Sequence, residues 1–269
     1  MISTLKKAAV IIPFYKDKLT AYESIALQQC FNVLSKYPII AIKPQSLALP
    51  DEVTKHPFFN TVSFDDSYFK DIQGYNRLML DAVFYKAFLD YEYILIYQLD
   101  AFVFKDELNF WCSQQIDYVG APWIRATSYG FFKMQFKKLQ YYIHTRFNIQ
   151  RNGVPGKKQF EYKVGNGGFS LRKTRIFHDL CITQKVKIKQ YNSNSSHHFN
   201  EDVFWSIEVN RKRKVLNIPG YRKALKFAFE FNPERAFITN KHQLPFGCHG
   251  WDINIDFWRP IFKDLGYEV

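Results

Sequence analysis

Short apolar runs alternate with amphipathic stretches along the first part of the chain. The run over residues 8–14 predicts a buried strand, and Tyr37–Ile42 and Asn60–Phe64 predict two more. Between the first two runs, Thr20 and Glu23 have the spacing of a capping box, which predicts the start of a helix. Alternation of strands and helices is typical of an α/β fold with a mostly parallel sheet.

The same alternation continues toward the C-terminus. The pattern predicts a long helix over Tyr75–Tyr91, strands over Asp117–Trp123 and Val164–Arg172, and a helix over Glu201–Val209, with residues 124–163 as an insertion. No glycine-rich loop follows the first strand, which argues against a dinucleotide-binding fold with the Gly-x-Gly-x-x-Gly fingerprint. No repeat or linker divides the chain, so we expect a single domain with an insertion.

One apolar run, Tyr93–Phe104, carries a lone carboxylate at Asp100. Its composition is that of a strand covered on both faces. A carboxylate is costly to bury unless it is hydrogen-bonded, paired with a cation or placed where the strand leaves the sheet. Because the carboxyl ends of strands border the ligand crevice of open α/β sheets, Asp100 either lies beside a ligand, caps a turn or pairs with a surface lysine.

Composition and charge limit the class of protein. With 269 residues and 47% hydrophobic content, the chain can bury a large core. No apolar run approaches the roughly 20 residues that span a bilayer, and Met1–Ala9 lacks a secretory signal core, so we expect a cytoplasmic protein. We expect its four widely spaced cysteines to be buried thiols without disulfides.

The net charge of +12 favours an anionic partner, which can be nucleic acid, a phosphorylated small molecule or an acidic membrane surface. Charge is concentrated in the insertion, where Arg125–Lys163 holds nine Lys and Arg residues against one Glu. Six aromatic residues are interleaved with these charges: Phe131, Phe132, Phe136, Tyr141, Tyr142 and Phe147. This segment and Arg211–Lys214 would attract the protein to anionic lipid, or they are a solvated face.

Four motifs are spread over the chain: Tyr97–Phe104 (YQLDAFVF), Val164–Arg172 (VGNGGFSLR), Asn200–Trp205 (NEDVFW) and Pro245–His249 (PFGCH). Together they resemble glycosyltransferases of the GT-A type, and more closely a bacterial family of mostly uncharacterised domains in that superfamily. The resemblance covers nearly the whole chain outside the insertion. It implies a Rossmann-like GT-A fold with a nucleotide-binding half, residues 1–123, and an acceptor-binding half, residues 164–269.

The resemblance also implies a metal. In similar enzymes an Asp-x-Asp pair holds a divalent ion on the diphosphate of a nucleotide-sugar, and oxygen ligands suit Mn²⁺ or Mg²⁺. Asp100 matches the first Asp, but Phe102 stands in place of the second, so the site is depleted or completed from elsewhere. His249 resembles the histidine that supplies another ligand in some GT-A enzymes, and its alternative is a structural histidine in a tight turn.

Roles for other residues follow from the same likeness. Asp202 corresponds to the carboxylate that takes a proton from the acceptor hydroxyl, and Glu201 would orient the acceptor; the alternative is a helix start capped by Asn200. Glycines let the backbone approach a ligand closely, and Asn offers a donor and an acceptor to sugar hydroxyls. Donor contacts are expected from Pro13, Tyr15, Tyr75, Asn76, Arg77, Asp100, Asn166, Gly167 and Gly168, and acceptor contacts from Trp123 and Trp205.

The sequence therefore predicts transfer of a sugar from a nucleotide-sugar, with UDP as the expected nucleotide, to a glycan or lipid-linked acceptor. The expected setting is bacterial surface polysaccharide synthesis at the inner face of the cytoplasmic membrane, with inversion at the sugar and retention as the alternative. Rival interpretations are a nucleic-acid-binding protein or metal nuclease, which no recognisable binding motif supports, and a non-catalytic carbohydrate-binding protein. The glycosyltransferase interpretation requires Asp100 and Asp202 to face one cleft.

Overall fold

The computed structural model describes residues 6–127 and 129–269. Its strands, numbered in chain order, are β1 (Lys6–Pro13), β2 (Ile39–Pro44), β3 (Asn60–Phe64), β4 (Tyr91–Tyr97), β5 (Ala101–Val103), β6 (Tyr118–Val119), β7 (Gln150–Arg151), β8 (Val154–Pro155), β9 (Phe169–Lys173), β10 (Ala228–Phe229) and β11 (Gly247–His249). Six of them form the central sheet in the order β3-β2-β1-β4-β9-β6. Within this sheet β9 is antiparallel to both neighbours and the other adjacent pairs are parallel.

Helices pack on both faces of this sheet. They are α1 (Ala21–Leu34), α2 (Asp51–Thr54), α3 (Ile72–Met79), α4 (Ala82–Lys86), α5 (Leu108–Ser113), α6 (Phe131–Arg146), α7 (Thr174–Thr183), α8 (Lys185–Asn192), α9 (Glu201–Val203), α10 (Tyr221–Phe227), α11 (Pro233–Thr239) and α12 (Ile255–Asp264). The predicted mixed, mostly parallel sheet flanked by helices is therefore confirmed.

Strand β4 is buried on both faces from Tyr93 to Tyr97. Tyr93, Leu95 and Tyr97 belong to the core on one face of the sheet, which α1 and α5 cover. Ile94 and Ile96 belong to the core on the other face, which α3, α4 and α7 cover. Since both faces are buried, every position from Tyr93 to Tyr97 is apolar, and polar side chains lie only near the two ends of the strand, at Glu92 and from Gln98 onward.

A smaller sheet in the order β10-β11-β5 continues from the end of β4. Strand β11 is antiparallel to β5, and His249 lies opposite Ala101. A third apolar cluster, which contains Phe102, Trp258 and Phe262, packs beside these strands. The C-terminal part of the chain is thereby joined to the segment that carries Asp100.

The helix start predicted at Thr20 is confirmed, because Thr20 and Glu23 form a capping box at the start of α1. The single helix predicted over Tyr75–Tyr91 is wrong. Asp71 caps α3 by accepting a hydrogen bond from Gly74 N (2.6 Å), and Asp81 caps α4 by accepting one from Val83 N (3.0 Å). The cap at Asp81 therefore divides the predicted helix in two, and the cap at Asp71 places the start of the first part at Ile72.

Three further predicted elements are shorter than expected. The run Tyr93–Phe104 is two strands in different sheets, since a turn at Gln98–Asp100 separates β4 from β5. The segment 164–168 is a loop that precedes β9. The helix predicted over Glu201–Val209 is one turn of α-helix followed by a π-helical segment, Phe204–Glu208, a rare form that is frequent at functional sites.

The insertion consists of α6, the β7–β8 hairpin and a short 3₁₀ turn. Arg211 fixes it to the rest of the fold. The buried guanidinium of Arg211 donates to Thr145 O (2.5 Å) and Gln159 Oε1 (2.7 Å) in the insertion, and to Glu208 Oε2 (2.6 Å) outside it. Across the two described ranges, the structure contains no helix with the length and apolar character needed to cross a bilayer.

Candidate active site

A cavity of about 630 Å³ opens at the edge of the central sheet where β1 and β4 end. The loop before β9 reaches the same edge because β9 is antiparallel to β4, and Gln98 N donates to Gly168 O (2.8 Å). Asp100 and Asp202, far apart in sequence, both line the cavity. Other lining residues include Pro13, Tyr15, Tyr75, Asn76, Asn166, Gly167, Gly168, Glu201, Glu230 and His249.

His249 lies between two carboxylates in this cavity. Its Nε2 is 3.1 Å from Asp100 Oδ1, and its Nδ1 is 3.3 Å from Glu230 Oε1. Burial alone would lower the pKa of His249, but the two carboxylates raise it to about 10. Burial would raise the pKa of Asp100, and the opposing effect of His249 leaves that pKa below its ordinary value. In the free protein His249 is therefore protonated and pairs with the carboxylate of Asp100.

Phe102, two residues after Asp100, cannot join the group formed by Asp100, His249 and Glu230. Its ring is fully buried and stacks on Phe262 with the ring centroids 4.3 Å apart. It lies in β5, whereas Asp100 lies in the turn before that strand. A carboxylate at position 102 of this structure would therefore face an aromatic core and not the cavity.

The loop of Asn166, Gly167 and Gly168 forms one wall of the cavity. Asn166 has a φ of 125°, a conformation that is costly for a residue with a side chain. Its amide holds this conformation, since Nδ2 donates to Glu230 Oε1 (2.6 Å) and Oδ1 accepts from Phe169 N (3.0 Å). A Cβ atom at Gly168 would collide with the ring of His249, so this position requires glycine.

Glu201 forms a buried ion pair beside the loop. Its Oε1 is 3.0 Å from Arg172 Nη2, and both side chains are almost fully buried. Arg172 also donates to Tyr85 OH (2.9 Å) and Gly167 O (3.3 Å), so it links Glu201 to the glycine loop. The buried Oε2 of Glu201 has no hydrogen-bond partner among the described residues. That oxygen is enclosed by protein, so its unpaired state adds to the cost of burying the carboxylate, which Arg172 offsets.

Asp202 has the most perturbed carboxyl group of the cavity. Burial, reinforced by the charges of Glu201 and Glu230, raises its pKa from 3.8 to about 7. Val203 N donates to its Oδ1 (2.7 Å). A carboxylate with a pKa near neutrality is present in both forms at physiological pH, which is the property required of a general base or acid.

The family described as "Protein of unknown function (DUF5672)" matches residues 58–249, which is more than half of the chain. The chain belongs to this family. The matched segment contains Asp100, Asn166, Glu201, Asp202 and His249. No curated protein matches the chain in sequence.

Solved structures resemble this DUF5672 protein at low identity. The galactosyltransferase LgtC, solved in complex with donor and acceptor sugar analogues, is 11% identical, with a TM-score of 0.52 over 90% of this chain and 86% of that chain. Mouse xyloside xylosyltransferase 1, in its apo form, is 11% identical, with a TM-score of 0.48 over 91% of this chain and 97% of that chain. The similarity to LgtC confirms the predicted GT-A fold.

Three residues expected at the site lie elsewhere in the DUF5672 structure. Arg77 donates to Ser67 O (3.1 Å) and lines a separate cavity of about 550 Å³, because it points away from the face of α3 that carries Tyr75. Trp205 is fully buried, with its ring centroid 4.5 Å from that of Phe177, and is a core residue. Trp123 lines another cavity, of about 420 Å³, and its ring packs against the backbone at Gly165.

The other expected residues line the main cavity, and the amides of the two asparagines among them are hydrogen-bonded within the protein. Asn76 accepts from Glu201 N (3.1 Å) and donates to Asn200 Oδ1 (3.0 Å), so it supports the acidic turn. Asn166 is engaged with Glu230 as well as with its own loop. Tyr15 packs edge-on against Tyr75, with ring centroids 5.7 Å apart, and forms an aromatic wall.

The sequence interpretation overlooked Glu230, Arg172 and Gln98. Glu230 follows the apolar pair Ala228–Phe229, so it carries the same signal as Asp100: a lone carboxylate where a buried strand ends. Arg172 lies within an apolar strand, where a charge requires a buried partner. Gln98, whose Oε1 is 3.2 Å from His249 Nε2, precedes Asp100 in the turn and carries no signal of its own.

The residues of the site fit a divalent cation. Asp100 Oδ1 and, once His249 has lost its proton, His249 Nε2 offer one oxygen and one nitrogen ligand, and Glu230 on the other ring nitrogen matches the carboxylate–histidine–metal arrangement. In the described part of the chain, no group of three or more His, Cys, Asp and Glu side chains converges as a metal site. The remaining ligands would have to come from bound phosphate and water, as is usual for Mg²⁺.

Proposed function

We propose that this protein is a glycosyltransferase that moves a sugar from a nucleotide-sugar donor to an acceptor hydroxyl. One observation carries the proposal: Asp100, Asp202, His249 and the Asn166–Gly168 loop line a single cavity at the strand-end edge of a GT-A fold. The cavity volume of about 630 Å³ lies in the range of cofactor and ligand sites. The nucleotide we propose is UDP.

The donor would lie along the cavity from the aromatic wall to His249. Pro13, Tyr15 and Tyr75 offer apolar and aromatic surface for a nucleobase. The diphosphate would be bound near Asp100 and His249, and these residues would hold Mn²⁺ or Mg²⁺. When bound, such an ion offsets the negative charge that develops on the leaving diphosphate. The glycine loop leaves room for the sugar close to the backbone.

Asp202 would act as the general base. It would accept the proton of the acceptor hydroxyl while the acceptor oxygen bonds to the anomeric carbon and the bond from that carbon to the donor phosphate breaks, which inverts the configuration. The raised pKa of about 7 makes Asp202 a stronger base than an ordinary aspartate. Glu201, which lines the cavity and is held by Arg172, would orient the acceptor.

We further propose that the acceptor is a glycan or lipid-linked sugar of a bacterial surface polysaccharide, and that the cavity beside Trp123 extends the acceptor site. Trp123 packs against Gly165, the residue before the Asn166–Gly168 loop. A metal nuclease would need Glu201 as a free ligand, and its pairing with Arg172 argues against that alternative.

The decisive experiment compares Asp202→Asn with the unchanged protein. Binding of UDP in the presence of Mn²⁺ is measured by calorimetry, and hydrolysis of a panel of UDP-sugars measures turnover with water as acceptor. We expect turnover to fall by about 10²–10⁴-fold, with little change in UDP affinity.

Asp90→Asn is the matched control, because Asp90 is exposed and directly precedes β4, whereas the cavity lies at the other end of that strand. It should change neither the turnover nor the affinity for UDP. Near-normal turnover in Asp202→Asn would contradict the assignment of the base. Failure of every nucleotide and nucleotide-sugar tested to bind would contradict the proposed function itself. Full activity in excess EDTA would exclude the proposed metal.

A further inference from the structure

The insertion helix α6 carries an apolar stripe on its outer face. Phe132, Phe136, Leu139 and Ile143 follow the i, i+4, i+7, i+11 spacing of one helix face. These side chains are 88%, 67%, 57% and 38% exposed, in that order. Helices of globular proteins normally turn such a face toward the core, so the stripe on α6 has no partner in the described structure.

The inner face of α6 already has its partners, so the helix cannot rotate to bury the stripe. Tyr141 is buried and packs near Tyr162, and Thr145 Oγ1 donates to Gln159 O (3.4 Å). Arg211 donates to Thr145 O, which fixes the last turn of the helix to the main domain. The outward direction of the stripe is therefore a property of the folded protein.

Exposed aromatic residues widen the stripe at both ends. Phe131 is 72% exposed at the first turn of α6, and Phe147 is 72% exposed directly after the last turn. Tyr142 is 62% exposed alongside. A contiguous apolar patch of this kind marks an interaction surface, whereas isolated exposed apolar residues do not.

The charges around the stripe indicate its partner. Lys133, Lys138 and Arg146 are exposed on α6, and the sequence has no acidic residue between Asp117 and Glu161. Arg146 Nη1 donates to Lys212 O (2.8 Å), which places the exposed basic residues Lys212–Lys214 beside the end of the helix. An apolar stripe with basic flanks is the pattern of helices that lie in the interface of anionic membranes.

We propose that α6 docks the protein on an anionic phospholipid surface, with the stripe inserted among the acyl chains and the lysines and arginines at the headgroups. A second copy of the chain fits the surface less well, because the basic flanks of the two copies would repel each other. The inference extends the proposed function, since a membrane-bound enzyme would meet lipid-linked acceptors, but the docking itself can be tested without any sugar transfer.

The test is co-sedimentation of the full chain with two kinds of vesicle: phosphatidylcholine alone, and phosphatidylcholine with phosphatidylglycerol in equal parts. We expect binding only to the anionic vesicles and a decrease in binding at high salt. Phe132→Ser/Phe136→Ser should weaken binding at least about 10-fold, since two large apolar side chains are removed from the interface. Lys133→Glu/Lys138→Glu should weaken it to a similar degree.

Ile182→Ser/Val186→Ser is the matched control, because it removes two exposed apolar side chains from α7 and α8, outside the stripe. It should bind vesicles like the unchanged protein, and thermal unfolding should show that all variants are folded. Absence of binding to anionic vesicles, or equal binding by Phe132→Ser/Phe136→Ser, would overturn the proposal. The proposal would also be overturned if light scattering showed a dimer of the unchanged protein and a monomer of Phe132→Ser/Phe136→Ser. UDP-sugar hydrolysis by these variants in solution should be unchanged, which separates docking from catalysis.

Discussion

Replacing Asp202 by Asn should stabilise the folded protein above neutral pH. The substitution keeps the shape of the side chain and the acceptor oxygen for Val203 N, but it removes a charge that is buried near Glu201 and Glu230. Folding raises the pKa of Asp202 from 3.8 to about 7. The folded state therefore binds a proton more tightly than the unfolded state does, and deprotonation at higher pH destabilises the fold.

The size and pH range of the effect follow from this shift. Because one pKa unit corresponds to about 1.4 kcal/mol, the rise to about 7 amounts to roughly 4 kcal/mol of unfolding free energy. This stability is present below about pH 4 and is lost as the pH rises through about 7. Asp202→Asn escapes the loss, so the two proteins should match at low pH and differ by roughly 4 kcal/mol, or about 8 °C in Tm, above pH 7.

Urea unfolding at about pH 4 and about pH 8 measures the difference directly, because the free energy of unfolding is extrapolated in the same way for both proteins. The exposed Asp90→Asn variant controls for general effects of removing one negative charge. A difference between wild type and Asp202→Asn that is the same at both pH values, or a variant that is less stable at pH 8, would refute the reasoning.

Three further substitutions test the geometry of the site. Phe102→Asp should destabilise the protein by roughly 3–5 kcal/mol and should not tighten Mn²⁺ binding, because the ring of Phe102 lies against Phe262. A stable variant with higher Mn²⁺ affinity in calorimetry would show instead that position 102 faces the cavity. Gly168→Ala should weaken Mn²⁺ binding by at least about 10-fold by displacing His249, while Gly220→Ala, which has open space around it, should leave the affinity unchanged. Arg172→Met should lower the free energy of unfolding in urea by roughly 3–5 kcal/mol, since it leaves Glu201 buried and unpaired. Adding Glu201→Gln to this variant should recover part of the lost stability. No recovery would mean that loss of the ion pair does not cause the destabilisation.

Local signals predicted much of the fold. The apolar runs of β1, β2 and β4 are buried on both faces, so their composition alone identifies them as strands. The capping box at Thr20 satisfies backbone groups within a single turn, and a sequence can reveal it for that reason. Likewise Asp100 lies where a buried run ends, and the ends of parallel strands share one edge of the sheet.

What the sequence could not show depends on partners distant in the chain. Arg172 is acceptable in β9 only because Glu201 reaches it, and His249 is oriented by Glu230 only because β10 and β11 are adjacent in the small sheet. The sequence also did not show which way the apolar face of α6 is turned. The spacing of Phe132 and Phe136 indicates an apolar helix face, but periodicity does not reveal whether that face is turned toward a core or toward solvent.

The raised pKa of Asp202 favours the proposed catalytic role over that of a carbohydrate-binding protein with the same fold. Binding a neutral sugar needs hydrogen-bond donors and acceptors, and asparagine supplies these without the cost of a buried charge. Proton transfer, by contrast, needs a group whose charge changes near the working pH. Burial raises the pKa of Asp202 into that range, and the same burial destabilises the fold when Asp202 is ionised. A gain in stability together with a loss of turnover in Asp202→Asn, at unchanged UDP affinity, is therefore the outcome that a binding protein would not give.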